Sequence, residues 1–97
     1  TAYVVNTARG GIVDEAALYE ALKANSIAGA GIDPFVVEPA TADTPLFELD
    51  NIIVSPHSAG VTKESVFRMG QIAAQNVIDC FDGKLAPANV INTEVLE

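Results

Sequence analysis

Ile52-Ile53-Val54-Ser55-Pro56-His57-Ser58-Ala59-Gly60 is the stretch on which the reading of this chain turns. Three β-branched residues run straight into Ser-Pro and the only histidine, so His57 is expected at the carboxyl end of a buried strand. In open α/β sheets that edge is where ligands bind. Two other segments end in the same way. Tyr3-Val4-Val5-Asn6 leads into Thr7-Ala8-Arg9-Gly10, and Ala30-Gly31-Ile32 leads into Asp33, with Glu38 shortly beyond. An arginine, carboxylates and an imidazole are thereby expected on one rim of one sheet.

Working outward, Ala2 to Asn6 reads as a central parallel strand covered on both faces. Gly10-Gly11 breaks it, and Asp14 is placed to cap a helix running to about Ala24, with Glu15 at the positive end of its dipole. Leu18, Ala21 and Leu22 share one face of that helix. Ile27 to Asp33 reads as the next strand, and its Gly29, Ala30 and Gly31 would let a helix or ligand approach closely. Residues 34 to 51 hold three of the five prolines and read as an irregular loop with one helical turn near Pro45 to Leu49. Ile52 to Ser55 is the third strand. Thr62 then caps a long helix to about Asp82, with an apolar stripe of Val66, Met69, Ala73, Val77 and Cys80 or Phe81. Gly83 stands at the C′ position. Cys80 on that stripe reads as a buried structural thiol.

Strand, helix, strand, loop, strand, helix is half of a doubly wound α/β pattern: a partial Rossmann-like parallel sheet with flanking helices. The glycine-rich dinucleotide fingerprint is absent. The chain begins within a strand and without an initiator methionine, which favours the back half of a larger protein. On this reading residues 1–85 are the second half of a nucleotide-binding domain and residues 86–97 a C-terminal tail that docks on something else.

With 97 residues and 49% hydrophobic content, the chain is long enough for one core. A net charge of −8, with five basic residues scattered along the chain, argues against nucleic acid as a partner. No tract resembles a membrane span or a signal peptide. The single cysteine excludes an internal disulfide and suits a reducing, cytoplasmic compartment. The convergence of Arg9, Glu38 and His57 suits oxidation or reduction of a small charged 2-hydroxy or 2-oxo acid.

Three segments in order carry a family resemblance: Val5-Asn6-Thr7-Ala8-Arg9-Gly10-Gly11-Ile12-Val13-Asp14, Gly31-Ile32-Asp33-Pro34-Phe35-Val36-Val37-Glu38-Pro39 and Ser55-Pro56-His57-Ser58-Ala59-Gly60. They resemble successive signatures of the D-isomer-specific 2-hydroxyacid dehydrogenases, of the phosphoglycerate dehydrogenase and hydroxypyruvate–glyoxylate reductase kind. Pro45-Leu46 and Asn89-Val90-Ile91-Asn92 extend the likeness over essentially the whole chain. Pro34 stands where the family usually has valine and Ser55 where threonine is common; neither change removes a group the chemistry needs.

The resemblance implies NAD as cofactor, a small 2-hydroxy or 2-oxo acid as substrate, and a homodimer joined through segments outside this stretch. Arg9 is then the substrate anchor, its planar fork suited to a carboxylate. His57 becomes the general acid/base, and Glu38 its partner, since a carboxylate beside the ring orients it. Asp33 is implied to contact the nicotinamide end of the cofactor, with Thr7, Ala8, Arg9, His57, Ser58, Ala59 and Gly60 lining that pocket. Candidate substrates are phosphoglycerate, hydroxypyruvate, glyoxylate and pyruvate. The same family includes NAD(H)-sensing corepressors, so a non-catalytic binding module is the alternative. By itself the 97-residue stretch is expected to bind NAD poorly and to be inactive. A metal site at His57, Asp33 and Glu38 is disfavoured, because one imidazole without ordered ligand spacing is a weak signal. Ser55 or Ser58 beside His57 makes no hydrolase signature without a nucleophile elbow.

Overall fold

The computed structural model describes residues 1–96; Glu97, the last residue of the expected tail, lies outside them. The chain divides into two compact units, residues 1–60 and residues 61 onward.

The first unit is a three-stranded parallel sheet, β1 (Tyr3–Asn6), β2 (Gly29–Ile32) and β3 (Ile52–Val54), in the order β1-β2-β3. Val5 pairs with Gly31 and Gly31 with Ile53, so equivalent strand positions share a face. Helix α1 (Glu15–Lys23) joins β1 to β2. Its start follows from Asp14, whose carboxylate accepts the N–H groups of Ala16 and Ala17 at 2.9 and 3.0 Å. Its end follows from Asn25, which takes a left-handed φ of 52°, and from Asn51, whose side-chain amide donates to the Leu22 carbonyl at 3.0 Å.

The core is built on one face of this sheet. Leu18 and Leu22, four residues apart on α1, pack with Ala30, Ile32, Phe35 and Leu46. Burying a leucine such as Leu22, only 1% exposed, stabilises the fold by roughly 1.5–3 kcal/mol. Leu46 sits in a short 3-10 turn, Pro45–Glu48, where the sequence predicts one helical turn.

The opposite face carries exposed side chains, so the covering of β1 expected on both sides is not supplied by residues 1–96. Tyr3 and Val5 on β1 and Ile53 on β3 are exposed, and β1 is an edge strand with β2 at the centre. The reason is positional: the residues of α1 and of the 34–49 loop that enter the core all join Ala30 and Ile32 on the other face. Of the small residues of β2, Ala30 packs against α1 as expected, whereas Gly29 has a different use. A Cβ on Gly29 would lie 3.0 Å from both the Tyr3 ring and the Asn51 carbonyl oxygen, so neighbouring strands, not a helix, occupy that space.

The second unit is dominated by α2 (Lys63–Phe81). Thr62 and Ser65 form a reciprocal capping box, each side chain accepting the other's backbone N–H. Gly83 ends the helix with φ 67°, as its C′ position predicts. No residue of α2 is buried, so the apolar stripe is exposed within its own unit. Cys80, expected to be buried there, is exposed. Helical periodicity identifies an amphipathic face but supplies nothing to cover it. The tail returns to α2 through Asn89, whose side-chain amide donates to Asn76 at 2.9 Å. Among the described residues, no helix is long and apolar enough to cross a membrane.

Candidate active site

The carboxyl ends of β2 and β3 face one cleft of about 580 Å³. Asp33, Glu38, Ser55 and His57 supply its polar groups, and Phe35 and Phe47 are among its apolar lining residues. The two rings meet edge to face with centroids 5.6 Å apart, giving that wall a fixed shape.

Asp33 leaves β2 buried, at 3% exposure, yet it is not alone. Its Oδ1 accepts hydrogen bonds from the Ser55 hydroxyl and the Ser58 N–H, and its Oδ2 from the Ala59 N–H at 3.0 Å. The Asp33 carbonyl also accepts the His57 N–H at 3.1 Å. The Ser55 hydroxyl above all, then the two N–H groups and the neighbouring imidazole, hold the Asp33 carboxyl below its ordinary range against the cost of burial.

Glu38 reaches back from the loop. Its Oε1 accepts the Phe35 N–H at 3.1 Å, and its Oε2 lies 2.9 Å from Nδ1 of His57. His57 foremost, and Phe35 after it, keep the Glu38 carboxyl low. Both side chains of this pair are about two-fifths exposed, at 40% and 39%, so the ring is open to a ligand while anchored from behind. With Nδ1 facing Glu38, Nε2 is the nitrogen available for proton exchange. His57 itself has φ 52°, a conformation that few residues with a Cβ adopt.

The end of β1 is organised separately. Asn6 is buried; its side-chain oxygen accepts the Ala8 N–H at 3.0 Å and its amide donates to the Arg9 carbonyl at 2.9 Å. The Asn6 carbonyl in turn accepts the Asp33 N–H at 3.0 Å. Arg9 is exposed, and its guanidinium donates to the carbonyl of Ala8 beside it at 2.6 Å. Gly10 brings this turn against the loop after β2: a Cβ there would sit 2.1 Å from the Phe35 carbonyl oxygen. Glu15 adds a second link, accepting the Val36 N–H at 2.6 Å.

Thus Asp33, Glu38 and His57 come together as the sequence predicts. Thr7, Ala8 and Arg9 stand at the neighbouring strand end and do not line the cleft; nor do Ser58, Ala59 and Gly60. The N–H groups of Ser58 and Ala59 are directed to Asp33. Sequence reasoning missed Asn6, Ser55 and the Phe35–Phe47 wall. Both Asn6 and Ser55 are small polar residues closing an apolar strand, a type that often forms such bonds, but the local pattern does not name the partner of either. Among the described residues, no cluster of three or more His, Cys, Asp or Glu could hold a metal ion.

The arrangement can exchange a proton at Nε2 of a ring held by a carboxylate. It also presents a carboxylate at Asp33 with three of its roughly four acceptor positions engaged.

Relatives point the same way. The chain is 45% identical over 97 residues to the glyoxylate reductase of Korarchaeum cryptofilum, covering all of this chain and 29% of that protein. It is 46% identical over 94 residues to the D-3-phosphoglycerate dehydrogenase of Archaeoglobus fulgidus, covering 97% of this chain and 18% of the relative. Among solved structures, the D-lactate dehydrogenase of Lactobacillus jensenii with NAD+ superimposes with a TM-score of 0.72 at 39% identity, over 86% of this chain and 29% of that one. The chain thus spans under a third of the length of these relatives. Residues 1–59 match the sequence model of the D-isomer specific 2-hydroxyacid dehydrogenase NAD binding domain, and the chain belongs to that family.

Proposed function

We propose that this chain works as the second half of a NAD-binding domain (residues 1–85, followed by the tail 86–97) within a longer D-2-hydroxyacid dehydrogenase. The protein interconverts a small 2-oxo acid and its D-2-hydroxy acid. The observation that carries this reading is the 2.9 Å pairing of His57 Nδ1 with Glu38 beside the buried carboxylate of Asp33.

NADH, when bound, supplies the hydride that reduces C2. Every other role falls to side chains. Arg9 uncurls from the Ala8 carbonyl to hold the substrate carboxylate through its planar fork. His57 gives the Nε2 proton to the carbonyl oxygen as it becomes a hydroxyl, and takes it back in the reverse direction. Glu38 keeps the ring oriented for the transfer. Asp33, with Thr7, Ala8, Arg9, His57, Ser58, Ala59 and Gly60, would hold the nicotinamide end of the cofactor. The cofactor carries the redox chemistry, and the chain supplies position and charge.

Glyoxylate, hydroxypyruvate and phosphoglycerate-type acids come first among the substrates, in keeping with the names of the relatives. The lone cysteine accords with a cytoplasmic setting, and the longer protein is taken to be a homodimer. The test is NADH oxidation by the full-length protein with glyoxylate, hydroxypyruvate, 3-phosphohydroxypyruvate, pyruvate and 2-oxoglutarate in turn. Turnover on one of the acids is the expected result. NADH binding without turnover on any would overturn the catalytic reading in favour of an NADH-sensing module.

A further inference from the structure

We propose that Ser55 is a positioning residue: its hydroxyl, bonded to the buried Asp33 carboxylate, sets the turn that presents His57 to Glu38. The proposal rests on the reading of His57 as the proton-transfer group.

His57 stands at φ 52°, where a side chain with a Cβ is disfavoured, so the turn persists only if its surroundings hold it. The bonds holding it run from residues 55–59 to the end of β2. The Ser55 N–H bonds the Ile32 carbonyl at 3.0 Å, and the His57 N–H bonds the Asp33 carbonyl at 3.1 Å. The Ser58 and Ala59 N–H groups bond the two Asp33 side-chain oxygens at 2.8 and 3.0 Å. The Ser55 hydroxyl completes the set on Oδ1.

All but one of these donors are main-chain groups, fixed once the turn exists. The Ser55 hydroxyl is the single side-chain donor, and it enters from the residue directly after β3. It therefore ties the position of Asp33 to the strand that carries the turn. A buried carboxylate that loses a donor must recover one from water or a moved backbone. Either response shifts the Ser58 and Ala59 amides. His57, immediately before them, is then released toward negative φ, and its ring leaves Glu38. The Arg9 turn is bonded through the Asn6 side chain, and neither Ser55 nor the amides of residues 57–59 bond to it.

A matched pair of variants isolates the hydroxyl. Ser55→Thr keeps the donor, while Ser55→Val has nearly the same shape as that threonine without it. In the full-length protein, Ser55→Val is expected to lower kcat by about tenfold to a hundredfold, the scale of a small misplacement of a reacting group. KM for the 2-oxo acid should stay within about twofold, because the substrate anchor is untouched. Ser55→Thr should restore kcat. In parallel, the NMR signal of His57 Cε1–H, assigned by its loss in His57→Gln, should move in Ser55→Val and return in Ser55→Thr at one fixed pH.

Equal kcat and an equal ring signal in the Val and Thr variants would overturn the proposal. So would a fall in kcat with an unmoved ring signal, which would place the effect elsewhere. A ring signal that moves in Ser55→Val while His57→Gln keeps full turnover would uphold the positioning of the turn and overturn the catalytic reading of His57. Should Ser55→Val fail to fold, Ser55→Ala against wild type supplies the same comparison.

Discussion

At the ends of β2 and β3, the functional side chains are already engaged by other parts of the chain. Glu38 holds Nδ1 of His57 and the Phe35 N–H, and Asp33 gathers Ser55, Ser58 and Ala59. At the end of β1, Arg9 is exposed and donates to the carbonyl one residue before it. The half of the rim that carries His57 is held by bonds within the chain. The half that carries Arg9, to which we assign the substrate carboxylate, has among the described residues no such hold on its guanidinium beyond the adjacent carbonyl. A long, flexible cation must give up rotamer freedom on binding, whereas an imidazole already fixed by a carboxylate gives up little.

The largest effect tests the organised half. His57→Gln should lower kcat by roughly 10²- to 10⁴-fold with little change in KM, as loss of a general acid/base does. Steady-state kinetics of the full-length protein read this directly, and a change confined to KM would break the comparison.

Next comes Arg9→Lys, which keeps the charge but loses the fork. The loss of one charge-assisted hydrogen bond predicts a fall in kcat/KM of about tenfold to a hundredfold, carried mainly by KM for the 2-oxo acid. A fall carried by kcat alone would show that Arg9 acts in the transition state, as His57 does, and not in binding.

The smallest effect is on acid stability. Asp33 and Glu38 both have depressed carboxyl values in the folded chain. Their contribution is complete above the ordinary carboxylate range and is lost as pH falls through the depressed values. Thermal unfolding followed from roughly pH 7 down to pH 3 should show the decline only at the acid end. Glu38→Gln should flatten part of it, whereas Arg9→Lys should leave it unchanged.

Helix caps were legible because they are local. Asp14, Thr62 and Gly83 act on backbone within a few residues, and each stands where its type predicts. The ladder in β2 is shorter than the apolar run suggests, Gly29–Ile32 against Ile27–Asp33, because strand ends depend on partners the local pattern does not name. Asp33, Glu38 and His57 converge because parallel strands deliver their carboxyl ends to one edge. Arg9 reaches the same edge by topology, but the direction of its side chain is a rotamer choice that strand position leaves open. The roles of Ser55 and Asn6 were hidden because their partners are set by the fold: a carboxylate on the neighbouring strand for one, backbone groups that every residue carries for the other. The burial expected of Cys80 failed for another reason: periodicity tells which residues turn one way, not whether anything meets them there.

Gly10 gives the rim its gauge. Its missing methyl leaves the clearance that lets the arginine-bearing turn rest on the backbone of Phe35, three residues before Glu38. Any larger residue would act as a wedge between the turn that carries Arg9 and the loop that leads to Glu38. The closeness of those two backbones is set at a position that contributes no side chain, whatever direction the arginine takes.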